Sequence, residues 1–324
     1  MNHRKTISIL LLILMTLPAS LFAQDSVFRV SADPNALTDG SRYFSMPVWS
    51  PDGRKIAFTG ERQQGIWILN SDGSKLVQLT DDAGTGFGFQ WSSDSKEIVC
   101  RASKYERRRR HNAVKVYNIM NQESRQLTEY RTFMPGLPRW TSDNSKVFLF
   151  TDRSGLEIFD AKREKSETSQ NAPDSPQPIY YLSAKGLNVM ASPAGQLKSF
   201  KPVDGMILNE KISPDGKKIA FEVVGKNMFV IDADGSNLVD LGRGHRPAWS
   251  PDSKYLTYMI SKDDGHQFLE SDIYIIGTDG KGKMQITHSG DRLAMNPDWS
   301  PDGKKIAFNT MEQGIIYTID LNGN

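Results

Sequence analysis

The sequence predicts an all-β fold, a β-propeller of four-stranded antiparallel blades. Three observations lead there. A hairpin-like string recurs, as MPVWSPDGRKIAF at 46–58, RPAWSPDSKYLTY at 246–258 and NPDWSPDGKKIAF at 296–308. A strand–turn–strand pattern follows it, as GIWILNSDGSKLVQLT at 65–80, and returns at 226–241 and 271–287. The two ends of the chain are also complementary: the last unit stops after its third strand, while residues 27–40 read like the end of a unit. Four-stranded units of about 40 residues cannot bury both faces alone, so they pack face to face around an axis.

The elements follow in chain order. Arg4 and Lys5 precede a mostly apolar run from Ile7 to Leu17, Pro18 breaks it, and Ser-Leu-Phe-Ala stands before Gln24. This pattern predicts a secretory signal peptide over 1–23, cleaved after Ala23, and a single propeller domain over 24–324. The run is too short to span a bilayer, so the expected product is exported, periplasmic or secreted, without stable membrane insertion. The chain holds 40 basic and 38 acidic residues; without Arg4 and Lys5 the remainder carries 38 of each. That neutrality, with export, argues against nucleic acid as a partner. Cys100 is the single cysteine, which excludes an internal disulfide. No cysteine follows the expected cleavage site, where a lipid anchor requires one; Gln24 and Asp25 stand there.

The next element, 27–40, contains Leu37-Thr38, which matches Leu79-Thr80 and Leu127-Thr128 at the ends of other units. It is expected to complete the last blade and fasten the ring. The blades align on one column: Trp49, Trp91, Trp140, Ile212, Trp249 and Trp299. Three residues on stand Asp52, Asp94, Asp143, Asp215, Asp252 and Asp302; seven on, Ile56, Ile98, Val147, Ile219, Leu256 and Ile306. Nine on come Phe58, Cys100, Leu149, Phe221, Tyr258 and Phe308, so Cys100 reads as inert packing. Proline sets the first corner of each turn, aspartate bonds a backbone N–H two residues on, and glycine takes the left-handed position. Ser95, Asn144 and Ser253 replace that glycine. Turn chemistry explains the aspartates without a catalytic role.

The gap of 72 residues between Trp140 and Ile212 is too long for one unit. Residues 180–200 alternate apolar and polar without Ser-Pro-Asp, and read as a worn blade with Leu182 in the tryptophan column. That makes seven blades; six, with this stretch as an insertion, is the alternative.

The pattern PxWSPDGxxIAF followed by IxxxDxDGxxxxxLT resembles the TolB-type, WD-like propeller repeat over about residues 26–324. The resemblance implies a propeller with a periplasmic protein-binding role. TolB itself carries a separate α/β domain for which this chain has no room, so a Tol–Pal role is not implied. Similar propellers precede serine-peptidase domains, but no G-x-S-x-G occurs here. Nor is there an H-E-x-x-H, a C-x-x-C or a P-loop.

In a four-stranded meander the first and third turns share one face, and the middle turn and the blade-to-blade links share the other. The short repeated turns therefore lie on one face and the variable loops opposite. On the loop-rich face stand Arg107, Arg108, Arg109 and Arg110, expected to suit an acidic protein surface or a polyanionic sugar, together with Phe133 and Phe268. His245, His266 and His288 surround the sixth blade on that face. Oligogalacturonate lyases, which this chain also resembles, hold a metal with histidines, so these three form a candidate divalent-metal site. Two functions are expected from these features. The first is a non-enzymatic, cofactor-free scaffold that binds a protein or envelope component, with acidic surfaces suiting the arginines. The second is a metal-dependent polysaccharide lyase or hydrolase acting on anionic sugars.

Overall fold

The computed structural model describes residues 28–30, 33–151, 155–165, 179–183, 186–190, 197–288, 290 and 292–323. The expected signal peptide over 1–23 and its expected cleavage site lie outside them. No helix among the described residues is long and apolar enough to cross a membrane.

Seven antiparallel sheets follow one another around the ring. The first blade is Phe44–Trp49, Lys55–Gly60, Ile66–Asn70 and Val77–Thr80. The second is Gln90–Trp91, Glu97–Glu106, Arg109–Asn118 and Ser124–Gln126. Three described strands form the third (Arg139–Trp140, Lys146–Thr151, Gly155–Asp160) and three the fourth (Ile179–Ser183, Gly186–Met190, Leu197–Phe200). The fifth is Ile207–Ile212, Lys218–Val223, Met228–Asp232 and Val239–Gly242. The sixth is His245–Trp249, Tyr255–Asp263, Phe268–Gly277 and Met284–Gln285. The seventh is Ala294–Trp299, Lys305–Thr310 and Ile316–Gly323. The N-terminal strands Phe28–Val30 and Asn35–Ala36 pair with Ile316–Gly323 and complete this blade. Phe28 packs edge-on against Trp299 and Tyr255, so the fastening is apolar as well as hydrogen-bonded.

The repeat columns are physical pairs. Trp49 faces Ile56, and Trp91, Trp140, Ile212, Trp249 and Trp299 face their own partners seven residues on. Because side chains alternate along a strand, the tryptophan column faces the preceding blade: Trp91, Ile98 and Cys100 pack on Ala57, Ile66 and Ile68 of the first blade. Cys100 is fully buried, and burial pushes its thiol far above the ordinary range, which leaves it unreactive.

The fourth blade corrects the expected register. Leu182 packs against the cluster of the fifth blade, with Leu187, Ile219 and Phe221. Tyr181 faces the third blade and stacks on Phe150 at 4.2 Å between ring centroids. Tyr181, not Leu182, therefore has the orientation of the tryptophan column. A one-residue slip exchanges the two faces of a strand.

Each Ser-Pro-Asp turn holds itself. The Ser50 hydroxyl donates to Asp52 Oδ1 at 2.6 Å, and the Arg54 amide donates to the same oxygen at 3.0 Å. The same hydroxyl–aspartate bond joins Ser92 to Asp94, Thr141 to Asp143, Ser213 to Asp215, Ser250 to Asp252 and Ser300 to Asp302. The left-handed position is taken by Gly53, Ser95, Asn144, Gly216, Ser253 and Gly303. The three residues that replace glycine do a second job. Ser95 Oγ accepts from the Asp52 amide, Asn144 Oδ1 from the Ser93 amide, and Ser253 Oγ from the Asp215 amide. They clip neighbouring turns together.

Candidate functional site: the channel and the loop-rich face

The innermost strand of each blade lines a central channel. Three tryptophans pin these strands to one another: indole N–H groups of Trp91, Trp140 and Trp249 donate to the carbonyls of Val48, Gln90 and Lys211 on the preceding blade. Each acceptor stands one residue before that blade's tryptophan position. The indole nitrogens of Trp49 and Trp299 make no such bond.

Three residues before the tryptophan column the strand bulges. Met46, Gly88, Asn209, Arg246 and Asn296 all have positive φ, from 51° to 69°. The pairing register shifts there in the first, fifth, sixth and seventh blades. A bulge leaves an amide unpaired and re-aims the strand, and a second column satisfies two of these amides across blade boundaries. Asn309 Oδ1 accepts from the Met46 amide at 3.2 Å, and Glu222 Oε1 from the Arg246 amide at 2.6 Å. Burial opposes ionisation of Glu222. His245, the Arg246 amide and Asn209 outweigh it and hold its carboxyl below the usual range.

The bulged halves of these strands enclose a cavity of about 520 Å³. Its lining includes Met46, Pro47 and Val48 but neither a tryptophan of the repeat column nor a Ser-Pro-Asp turn. The cavity therefore belongs to the half of the channel nearer the loop-rich face. Phe87, Phe89, Leu137, Leu182 and Leu208 give it apolar walls. Its charges come mainly from the column just before the tryptophans: Arg139, Lys211 and Asp298, where the first and sixth blades have Val48 and Ala248. Arg139 pairs with Glu210 and lies over the Tyr180 ring at 4.4 Å. Asp298 accepts a 2.7 Å bond from the Trp49 amide across the ring closure. Enclosure in the channel raises its carboxyl to about 6, against the lowering pull of the Trp49 amide and Lys211. Enclosure also lowers Lys211, and Arg139 adds to that, although the surface of Lys211 is open to the cavity.

None of the expected site residues lines this cavity. Arg107 and Arg108 form the two-residue turn of the long second-blade hairpin, both with positive φ, where asparagine and glycine are the favoured residues. Arg109 pairs across the hairpin with Glu106, and Arg110 Nε donates to Ser103 Oγ at 2.9 Å. Phe133 is 40% exposed in the link to the third blade. Phe268 is half-buried and opens the third strand of the sixth blade.

The three histidines do not come together. His245 is held at Nδ1 by Glu222 of the fifth blade at 3.0 Å. His266 is exposed at the tip of the sixth-blade hairpin, where its amide donates to Asp264. His288 is exposed in the link leaving that blade. Among the described residues no group of three or more His, Cys, Asp or Glu side chains is placed to hold a metal ion. Sharing a face of the ring did not bring these side chains within ligand distance, so the expected metal site is not assembled.

Sequence reasoning passed over Arg139, Lys211 and Asp298. Their signal was a charge directly before the large apolar residue of the column, in Arg-Trp, Lys-Ile and Asp-Trp, within a strand whose every other feature predicts burial.

No family model matches the chain. An uncharacterized protein of Agrobacterium fabrum is 31% identical over an alignment of 197 positions that covers 53% of this chain and 64% of that protein. The chain thus spans less than two thirds of that relative's length. TolB from Acinetobacter baumannii superposes with a TM-score of 0.53 at 19% identity, over 82% of this chain and 59% of that one. An oligogalacturonate lyase from Vibrio parahaemolyticus superposes with a TM-score of 0.58 at 15% identity, over 90% of this chain and 96% of that one. At these identities the likeness is one of fold. Together with the seven sheets and the N-terminal closure, it makes this chain a seven-bladed β-propeller, with a fold like that of the TolB propeller.

Proposed function

We propose that the protein is an exported, non-enzymatic binding scaffold that takes a protein or cell-envelope component on its loop-rich face. One observation carries this reading: the two faces of the ring differ in kind. The turn face is built from near-copies of one self-bonded turn, clipped to one another. The opposite face holds the long second- and sixth-blade hairpins and the mouth of a cavity whose lining changes from blade to blade. Specific recognition needs varied groups on a rigid frame. Arg107 and Arg108 at a hairpin tip suit an acidic partner.

Capture from a cell-envelope extract tests the reading. Immobilised protein is expected to retain a defined component, and reversal of Arg108 and Arg109 to glutamate is expected to weaken that retention, with a loss that shrinks at high salt. The likeness to an oligogalacturonate lyase supports a second reading, turnover of anionic sugars. Release of unsaturated products from uronate polymers, abolished by chelation, would replace the scaffold reading with it.

A further inference from the structure

We infer that the channel cavity is a binding site for a small organic monoanion with an apolar body, held by Lys211. This goes beyond docking at the rim and does not depend on which partner the rim takes.

A lysine at this place is not a feature of the repeat. Its column holds Val48 and Ala248 in the first and sixth blades, so the fold does not require a charge there. The Lys211 side chain is exposed to the channel, so its ammonium keeps contact with solvent there and is accessible to a ligand. Four other charged side chains lie close enough to act on Lys211, from the third, fifth, sixth and seventh blades: Arg139 and Arg246 repel it, Asp298 and Glu210 attract it. Both carboxylates are already engaged elsewhere. Glu210 pairs with Arg139, and Asp298 accepts from the Trp49 amide. Arg246 donates to Asn209 at 3.3 Å. Among the described residues the Lys211 ammonium itself forms no hydrogen bond and no ion pair. Its side chain belongs to the cavity lining.

Three cations against two carboxylates leave the wall positive, and the cation without a bond is the natural point of attachment for an anion. The rest of the lining limits what else the ligand carries. Phe87, Phe89, Leu137, Leu182 and Leu208 offer apolar contact, and about 520 Å³ suits a small organic molecule. A carboxylate, sulfonate or phosphate diester on an aliphatic or aromatic body fits both demands; a free inorganic ion leaves the apolar walls unused.

The experiment uses 8-anilinonaphthalene-1-sulfonate, a fluorescent monoanion with an aromatic body, and its neutral counterpart N-phenyl-1-naphthylamine, titrated into the full chain. Saturable binding of the anion is expected at one site. Lys211→Met is expected to weaken it by about tenfold or more, as for loss of a charge-assisted bond. Lys211→Arg should restore most of it, and the neutral dye should bind both variants alike. Octanoate is expected to displace the anionic dye, whereas inorganic phosphate at equal ionic strength is not. Melting curves establish that each variant is folded. Unsaturable anion binding, equal anion binding by wild type and Lys211→Met, or equal loss of both dyes overturns the assignment to Lys211. Equal displacement by phosphate overturns the apolar part of the ligand. Failure of envelope capture with these results intact would remove the scaffold reading and leave this site standing.

Discussion

Asp52 and Asp298 belong to two neighbouring innermost strands, Asp52 in the turn that follows one and Asp298 within the other, and have opposite lives. Asp52 sits in a turn where partial burial is outweighed by the Ser50 hydroxyl and the Arg54 amide, and its carboxyl is held below the usual range. Asp298 sits in the channel, where enclosure wins and lifts it to about 6. The turn half of the ring surrounds each charge with donors that its own motif supplies. The channel half gathers charges the motif does not supply and satisfies them across blades, or leaves them facing the cavity. The repeat maintains the fold on one side and releases side chains for other work on the other.

The largest break in this comparison is predicted at the closure. Removing residues 28–38 strips two strands from Ile316–Gly323 and exposes its edge. Urea unfolding should show a loss greater than for any single substitution, with self-association on gel filtration. A melt like that of the parent would contradict closure by the N-terminal strands.

Next come the tryptophans. Trp140→Ala should cost about 3–5 kcal/mol, the range for large buried aromatics. A finer contrast separates packing from pinning. Trp140 donates its indole N–H to Gln90, and Trp299 makes no such bond. Trp140→Phe should therefore cost about 1 kcal/mol more than Trp299→Phe. Equal costs would mean that the indole bonds to the preceding blade contribute nothing measurable.

The two aspartates predict opposite pH responses. A depressed carboxyl stabilises the fold above its unfolded value near 3.8, and that contribution is lost as pH falls through the folded value. Asp52→Ala should cost about 1 kcal/mol at pH 7, and the cost should fade below pH 4. Asp298 has a raised carboxyl, so folding takes up a proton between about 3.8 and 6, and stability declines as pH rises through that window. Asp298→Asn should flatten the decline, gaining relative to wild type at pH 7 and not at pH 4. Stability curves over pH 3–8 for the two variants check both signs.

The smallest expected change in stability is at the loop tip. Reversing Arg108 and Arg109 should move unfolding by less than about 0.5 kcal/mol, while weakening capture of an acidic partner. The same reversal at exposed Lys217 and Lys304, beside the turns, should leave both stability and capture unchanged.

What the sequence made legible was whatever the blades share. The tryptophan column, its partners seven residues on, the left-handed turn residue and the N-terminal closure are all repeat features, and all are found. Alignment of repeats hides the residues that differ, which is where Arg139, Lys211 and Asp298 were missed. The worn fourth blade failed in a related way: without Ser-Pro-Asp to anchor the register, Leu182 was placed one residue off. The histidines show a third limit, since topology assigns a face but not a distance. Glu222, 23 residues before His245, was invisible as its holder because the bond crosses a blade boundary.

The claim that the loop-rich face is the working face has a direct test, because Cys100 is fully buried and leaves the chain without a reactive thiol. Single cysteines introduced as Arg108→Cys or Leu269→Cys on the loop-rich face, and as Lys217→Cys or Lys304→Cys beside the turns, would each carry a polyethylene glycol chain. The labelled proteins are then compared for capture from envelope extract. The account predicts that labels at 108 and 269 abolish capture while labels at 217 and 304 do not. The reverse pattern would contradict it.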